Sequence, residues 1–150
     1  MPSALRYKIG QQPIANSRYD LIVSNPPYFQ NSLKNPDKGR QTARHTDTLS
    51  YEELIIHSAR LLTNHGQLAL ILPAEAEEEI RQLAATQNLF PTHITRVYSK
   101  ESKPARRVLI AFRRDTAIPG FRYTEDSITL EDEKGGRSAA YSALCEEFYL

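Results

Sequence analysis

The sequence predicts an α/β fold in which parallel strands, covered by helices, continue into an antiparallel edge hairpin. Short aliphatic runs, Tyr19–Ser24 and Gln67–Leu72, are each cut off by proline, which cannot donate to a strand ladder. Between and after them lie stretches with apolar residues at helical spacing. Two further strand-like runs, His93–Tyr98 and Arg107–Phe112, follow with no helix between them. A parallel pair needs a long crossover, so these two are expected to form a hairpin. Alternating elements of this kind give a helix-covered parallel sheet.

Each element has a local cause. Tyr19–Ser24 is dense in aliphatic side chains and reads as a short buried strand. A polar segment to Thr48 follows Asn25-Pro26-Pro27. It carries Lys34, Lys38, Arg40, Arg44 and His45 against Asp37 and Asp47. A loop that long is usually functional or disordered. Ser50 begins a helix as its cap, with Glu53 completing a capping box. Leu54, Ile55, Ser58, Leu61 and Leu62 form its inner face, and Gly66 is assigned the left-handed position that ends it. A second helix spans Ala74 to Gln87, acidic at its start, with Ile80, Leu83 and Ala84 inward. Ser127–Leu130 adds an edge strand, Glu133–Gly136 a turn, and Ser138–Phe148 a last helix with Tyr141, Leu144, Cys145 and Phe148 inward.

At 150 residues, 40% hydrophobic and 25% charged, the chain suits one globular domain with a real core. Residues 19–150 are assigned to it and 1–18 to a lead-in with little regular structure. The net charge of +1 names no partner, but the distribution is uneven. From Arg96 to Arg114 seven bases face one acid, a balance of +6; from Gly120 to Leu150 seven acids face three bases, a balance of −4. Two readings stand open: a polyanion-binding face, or two solvated surface strips. The single Cys145 excludes an internal disulfide and fits a reducing compartment. Cys145 reads as a small core residue rather than a nucleophile. The four histidines are scattered, so no metal site is expected, and no apolar run reaches the roughly 20 residues that cross a bilayer. A cytoplasmic protein is expected.

Asn25-Pro26-Pro27-Tyr28 is the motif that carries chemistry. It follows a strand directly, and α/β sheets bind ligands beyond the carboxyl ends of their strands. An aromatic or amide nitrogen has a delocalised lone pair and attacks electrophiles poorly. Two acceptors on its two N–H groups orient it, favour a pyramidal nitrogen and stabilise the developing positive charge. The Asn25 side-chain oxygen and the Pro26 carbonyl are the candidate acceptors. Pro27 stiffens the turn and restricts Pro26. Tyr28 offers a ring for stacking a flipped base, and Phe29 extends that wall. The competing reading is a plain strand-ending turn.

With these residues the chain resembles class I, Rossmann-like methyltransferases that use S-adenosylmethionine, in their amino-methylating branch. Tyr19 to Phe29 is similar to that branch's fourth strand and catalytic loop. Ala43-Arg44-His45, Leu61-Leu62 through Gly66 to Leu72-Pro73, Lys103-Pro104-Ala105-Arg106-Arg107 and Phe148-Tyr149-Leu150 are similar to the bacterial tRNA (valine) adenine-N6 methyltransferases. The resemblance covers residues 19 to 150 and implies the carboxyl-terminal half of the methyltransferase sheet. It implies S-adenosylmethionine as cofactor, tRNA as partner, and methylation of the exocyclic amino group of adenine. Asn25, Pro26, Pro27 and Tyr28 would be catalytic, with Asn25 also touching the cofactor. Phe29, Arg44, Lys103, Arg106 and Arg107 would contact substrate. The same four motif residues also serve methylation of a protein glutamine amide; the basic loops favour RNA.

The six glycines never form G-x-G-x-x-G, so the main cofactor loop is expected outside this chain. That leaves an unpaired parallel strand edge and an expectation of self-association or marginal stability. It also keeps open a non-catalytic RNA-binding or interaction fragment.

Overall fold

A computed structural model of the chain describes residues 18–27, 49–114 and 120–146. Most of the lead-in, the 28–48 loop and Phe148 lie outside that range. The element order is β1 (Tyr19–Ser24), α1 (Tyr51–Leu61), β2 (Leu62–Pro73), α2 (Glu77–Thr86), β3 (Phe90–Tyr98), β4 (Arg107–Arg113), β5 (Thr124–Thr129) and α3 (Ala139–Cys145). The strands form one open mixed sheet in the order β1-β2-β4-β3-β5. β1 is parallel to β2, β4 is antiparallel to both β2 and β3, and β5 is parallel to β3. The expected hairpin is therefore present. Its outer strand, β3, is itself covered by β5, which is set slightly earlier in the chain than Ser127–Leu130.

Strand alternation decides where the core lies. Leu68, Leu70 and Leu72 of β2 pair with Phe112, Ile110 and Val108 of β4, and all six are buried. Ile94 joins them from β3. On the same face Leu54, Ile55 and Ala59 of α1 and Ile80 and Ala84 of α2 complete the cluster. Both helices thus cover one side of the sheet. The helix periods read from sequence locate Leu54, Ile55, Ile80 and Ala84 correctly, with Leu83 partly buried against them, whereas Ala59 lies outside the face read from sequence and Leu61 is only half-buried.

α1 starts as expected. The Ser50 hydroxyl accepts from the Glu53 amide at 3.1 Å, and the Glu53 carboxylate accepts from the Ser50 amide at 2.9 Å. Those bonds hold the Glu53 carboxyl below its ordinary range. α2 follows a 3-10 turn at Ala74–Ala76. It ends where Asn88, at φ 55°, takes the left-handed position. The Leu89 amide reaches the Ala84 carbonyl at 3.0 Å and the Asn88 amide the Ala85 carbonyl at 3.1 Å, a Schellman closure with Leu89 buried.

Four expectations fail for physical reasons. β1 is not buried: Tyr19, Leu21 and Val23 are 52%, 57% and 65% exposed, because among the described residues only β2 pairs with it. Ile22, on the opposite face, does reach the core. Gly66 does not end α1. The helix passes directly into β2 at Leu62, and Gly66 lies in an irregular stretch where Leu62 faces Tyr19 and Gln67 faces Leu21. A Cβ there would stand 2.9 Å from the Tyr19 carbonyl oxygen, so close backbone approach requires the glycine. Leu144 points outward at 65% exposure, since α3 packs beside the edge strand β5. Cys145 is half-buried on the same helix, which contributes nothing to the core among the described residues.

Candidate active site at the carboxyl ends of the strands

Strand directions gather the candidate residues. β1, β2, β3 and β5 run the same way, so their carboxyl ends share one end of the sheet. Asn25-Pro26-Pro27 follows β1, the Ala74–Ala76 turn follows β2, the basic loop Ser99–Arg106 follows β3, and Leu130–Arg137 follows β5. β1 and β4 are two strands apart, about 10 Å at the usual spacing. One nucleotide and its neighbouring phosphates span a comparable distance.

Pro26 is buried while Asn25 and Pro27 are exposed. The middle residue therefore pins the turn, and its neighbours face outward. Beneath it, the Asp20 carboxylate accepts from the Thr63 hydroxyl at 2.8 Å and ties β1 to β2. Tyr28, Phe29 and Arg44 lie outside the described residues.

The basic loop is braced at its backbone and open at its tips. The Arg106 amide donates to the Val97 carbonyl at 2.9 Å, and the Arg106 carbonyl accepts from the Ala74 amide at 3.1 Å. Lys103 and Arg106 are exposed, as is Arg107. The rest of the basic stretch is spent within the fold. Arg96 contacts Glu77 at 2.6 Å and Glu125 at 2.5 Å. Its pKa is raised, first by the hydrogen bond to Glu77 and then by that to Glu125. Lys100 pairs with Glu131 at 3.5 Å. Arg114 donates to the carbonyls of Ala59, Leu62 and Thr63. Two acids of the tail, Glu125 and Glu131, thus pair with Arg96 and Lys100 of the stretch. Lys103 and Arg106 stay exposed on the loop.

Sequence reading passed over a cross-strand group. His93 Nδ1 is 2.6 Å from Thr124 Oγ1, and its Nε2 is 3.1 Å from both Thr95 Oγ1 and Asp126 Oδ2. Only the β3–β5 register brings these residues together, so no sequence spacing signals them. Among the described residues no group of histidines, cysteines and acids is arranged for a metal. Among the described residues no strand-to-helix connection carries a G-x-G-x-x-G pattern, and the β5–α3 connection holds only Gly135 and Gly136.

Residues 4–100 match the family described as Eco57I restriction-modification methylase. The chain belongs to that methylase family. Its resemblance to tRNA methyltransferases also holds at the level of single relatives. Proteins from Parabacteroides distasonis and Porphyromonas gingivalis, both named tRNA1(Val) (adenine(37)-N6)-methyltransferase, are 41% and 42% identical over 92% and 91% of this chain. The matches cover 57% and 53% of those proteins, so this methylase chain spans about half their length. A solved structure described as a predicted O-methyltransferase from Agrobacterium tumefaciens shares the fold, with TM-score 0.63 and 17% identity over 87% of this chain and 52% of that one. No helix among the described residues is long and apolar enough to cross a membrane.

Proposed function

We propose that this chain is the target-recognising half of an S-adenosylmethionine-dependent methyltransferase acting on the exocyclic amino group of adenine in tRNA. Residues 19–150 act as one partial domain. The observation that carries the reading is Asn25-Pro26-Pro27 at the carboxyl end of β1, with an exposed basic loop at the same end of the sheet. The names of the relatives supply the tRNA substrate. A tRNA substrate in turn fits a cytoplasmic protein.

In this reading Asn25 Oδ1 and the Pro26 carbonyl each accept one N–H of the target amine. Tyr28 stacks on the flipped base and Phe29 extends the wall, while Pro27 holds the turn rigid. Arg44, Lys103, Arg106 and Arg107 contact phosphates. S-adenosylmethionine, when bound, supplies an electrophilic methyl group. With the methyl donor bound, Asn25 and Pro26 would orient the amine lone pair toward that methyl group, and the methylated nitrogen would release one proton to solvent. The two acceptors are most useful at that moment, because they face charge that develops only during attack.

The test is a chimera in which this chain replaces the matched segment of the Parabacteroides distasonis relative. Methyl incorporation is measured into tRNA and into a release-factor protein. Incorporation into tRNA is expected, and incorporation only into protein would sink the RNA assignment. Asn25→Ala in the chimera is expected to lower turnover by roughly 10²–10³-fold, by analogy with loss of one preorganised polar contact, with tRNA affinity little changed. Unchanged turnover removes Asn25 from the chemistry.

A non-catalytic RNA-binding piece is the second reading for the chain by itself. It is favoured by the half-length match to the relatives. Calorimetric titration of the chain with S-adenosylmethionine separates the two. Micromolar binding contradicts an incomplete cofactor site, and no binding leaves RNA recognition as the activity of this piece.

A further inference from the structure

We propose that the Leu130–Arg137 hairpin is a second RNA-binding element, in which the Arg137 guanidinium, held by the Tyr141 ring, is a stacking platform for one unpaired base. The inference rests on the RNA reading above. It adds a contact to a base several nucleotides from the target.

The hairpin is more firmly built than its burial requires. Asp132 to Arg137 are all exposed, and α3 behind them has no buried residue. The backbone is nevertheless fixed throughout. The Asp132 amide donates to the Gly136 carbonyl at 2.8 Å, and the Gly135 amide to the Asp132 carbonyl at 3.1 Å. One Asp132 carboxylate oxygen accepts from the Lys134 and Gly136 amides at 2.9 and 2.7 Å. Gly135, at φ 82°, occupies a left-handed position that glycine fills without strain. Glu131 and Arg137 bridge the two arms. The Leu130 and Glu131 amides donate to the Tyr98 and Ser99 carbonyls at 2.9 and 3.0 Å, which ties the hairpin to the start of the basic loop. Ordering exposed residues costs conformational entropy, and no buried apolar surface offsets it here. A braced surface connection of this kind is where binding residues are commonly carried.

Its side chains fit a base better than a phosphate. The Arg137 guanidinium lies over the Tyr141 ring, 5.7 Å from the centroid, within cation–π range. Tyr141 is half-buried and Arg137 exposed, so the ring steadies a planar cation that meets solvent. Unpaired RNA bases stack on aromatic rings and on arginine planes. Net charge supplies no attraction. Glu131 pairs with Lys100 at 3.5 Å, and Asp132 and Glu133 balance Lys134 and Arg137. The exposed bases of the neighbouring loop, Lys103 and Arg106, suit phosphates instead. Phosphate contacts position a nucleic acid and base contacts specify it. β5 is four strands from β1, about 19 Å at the usual spacing. The platform therefore takes a base other than the one held at Asn25-Pro26-Pro27.

The test is anisotropy of a labelled single-stranded RNA of about 15 nucleotides, within the site size of single-strand binders, titrated with the 150-residue chain. Arg137→Lys keeps the charge and removes the plane. It is expected to weaken binding at least about fivefold, the low end for one base stack, without changing the slope of log affinity against log salt. Tyr141→Leu, which keeps an apolar side chain in α3, is expected to act likewise. Lys103→Ala is expected to lower the slope instead. Amide exchange in the wild-type chain gives a reading that needs no variant: amides from Lys134 to Tyr141 are expected to slow when the RNA is added. If Arg137→Lys and Tyr141→Leu bind as tightly as wild type while Lys103→Ala lowers the slope, the platform is overturned and the RNA reading stands. Slowing confined to the basic loop has the same meaning. An equal loss by Arg137→Lys toward duplex RNA overturns base stacking, because paired bases are not splayed out. No binding of RNA by the wild-type chain overturns both readings.

Discussion

Arg114 belongs by sequence to a basic surface, yet its guanidinium closes the end of a helix. It donates to the carbonyls of Ala59, Leu62 and Thr63, acceptors left over where α1 turns into β2. A cation at a helix carboxyl end also meets the favourable end of the dipole. Arg114→Met is expected to destabilise the chain by about 2 kcal/mol, the range for hydrogen bonds made by a charged group. Denaturant unfolding monitored by circular dichroism checks it, and Arg114→Lys should recover part of the loss. Gly66 is a second residue whose role is spatial. An added Cβ would lie 2.8 Å from Leu62 Cδ2 and 2.9 Å from the Tyr19 carbonyl oxygen. The leucine can rotate but the strand backbone cannot. Gly66→Ala is therefore expected to cost roughly 1–3 kcal/mol and to displace β1, which carries Asn25. Lower thermal stability and slower methyl transfer by the chimera should appear together. Neither role was legible in the sequence, because both depend on partners brought together by the sheet. Asn25-Pro26-Pro27 could be read as a candidate from sequence because strand, stop and a possible acceptor are consecutive, and the structure places it at the end of β1.

Among elements, α1 carries its own instructions. The Ser50–Glu53 box is local, so the sequence identified it and the structure contains it. Ser50→Ala is expected to cost about 1 kcal/mol, read as a fall of about 2–4 °C in Tm for a chain of this size. The carboxylate gives the box a pH dependence. Glu53 is held below its ordinary value of 4.5 by the Ser50 amide first and the Ser50 hydroxyl second. A carboxyl depressed in the folded state stabilises above its unfolded pKa, and the contribution disappears as pH falls through the folded one. The stability difference between wild type and Glu53→Gln should therefore shrink as pH drops below about 4.5. A constant difference across acid titration contradicts the assignment. β1 illustrates the opposite case. Its aliphatic composition promises burial, but burial depends on what lies beside the strand. A sequence window of six residues contains no information about neighbours.

At the scale of the molecule, the sequence left two meanings open for its uneven charge, and the ion pairs show which of these charges meet within the fold. Glu125 and Glu131 from the acidic tail bond Arg96 and Lys100, because β5 lies alongside β3. That pairing joins the two halves of the charge asymmetry and leaves Lys103 and Arg106 exposed on a braced loop. The stretch therefore divides into bases paired within the fold and bases exposed on the loop, and the two groups should separate experimentally. Binding of tRNA by this chain is expected to weaken with salt, since each phosphate contact releases counterions. Lys103→Ala and Arg106→Ala should each reduce the slope of log affinity against log salt by about 1, with folding stability nearly unchanged. Arg96→Ala should act the other way. Its guanidinium bridges α2 and β5 through Glu77 and Glu125, so its loss cuts that bridge and leaves Glu77 with Arg81 alone. The unfolding midpoint should fall while the salt slope is kept. If Arg96→Ala lowers the slope as much as Lys103→Ala does, the ion pairs do not hold in solution and the whole stretch acts as one basic face.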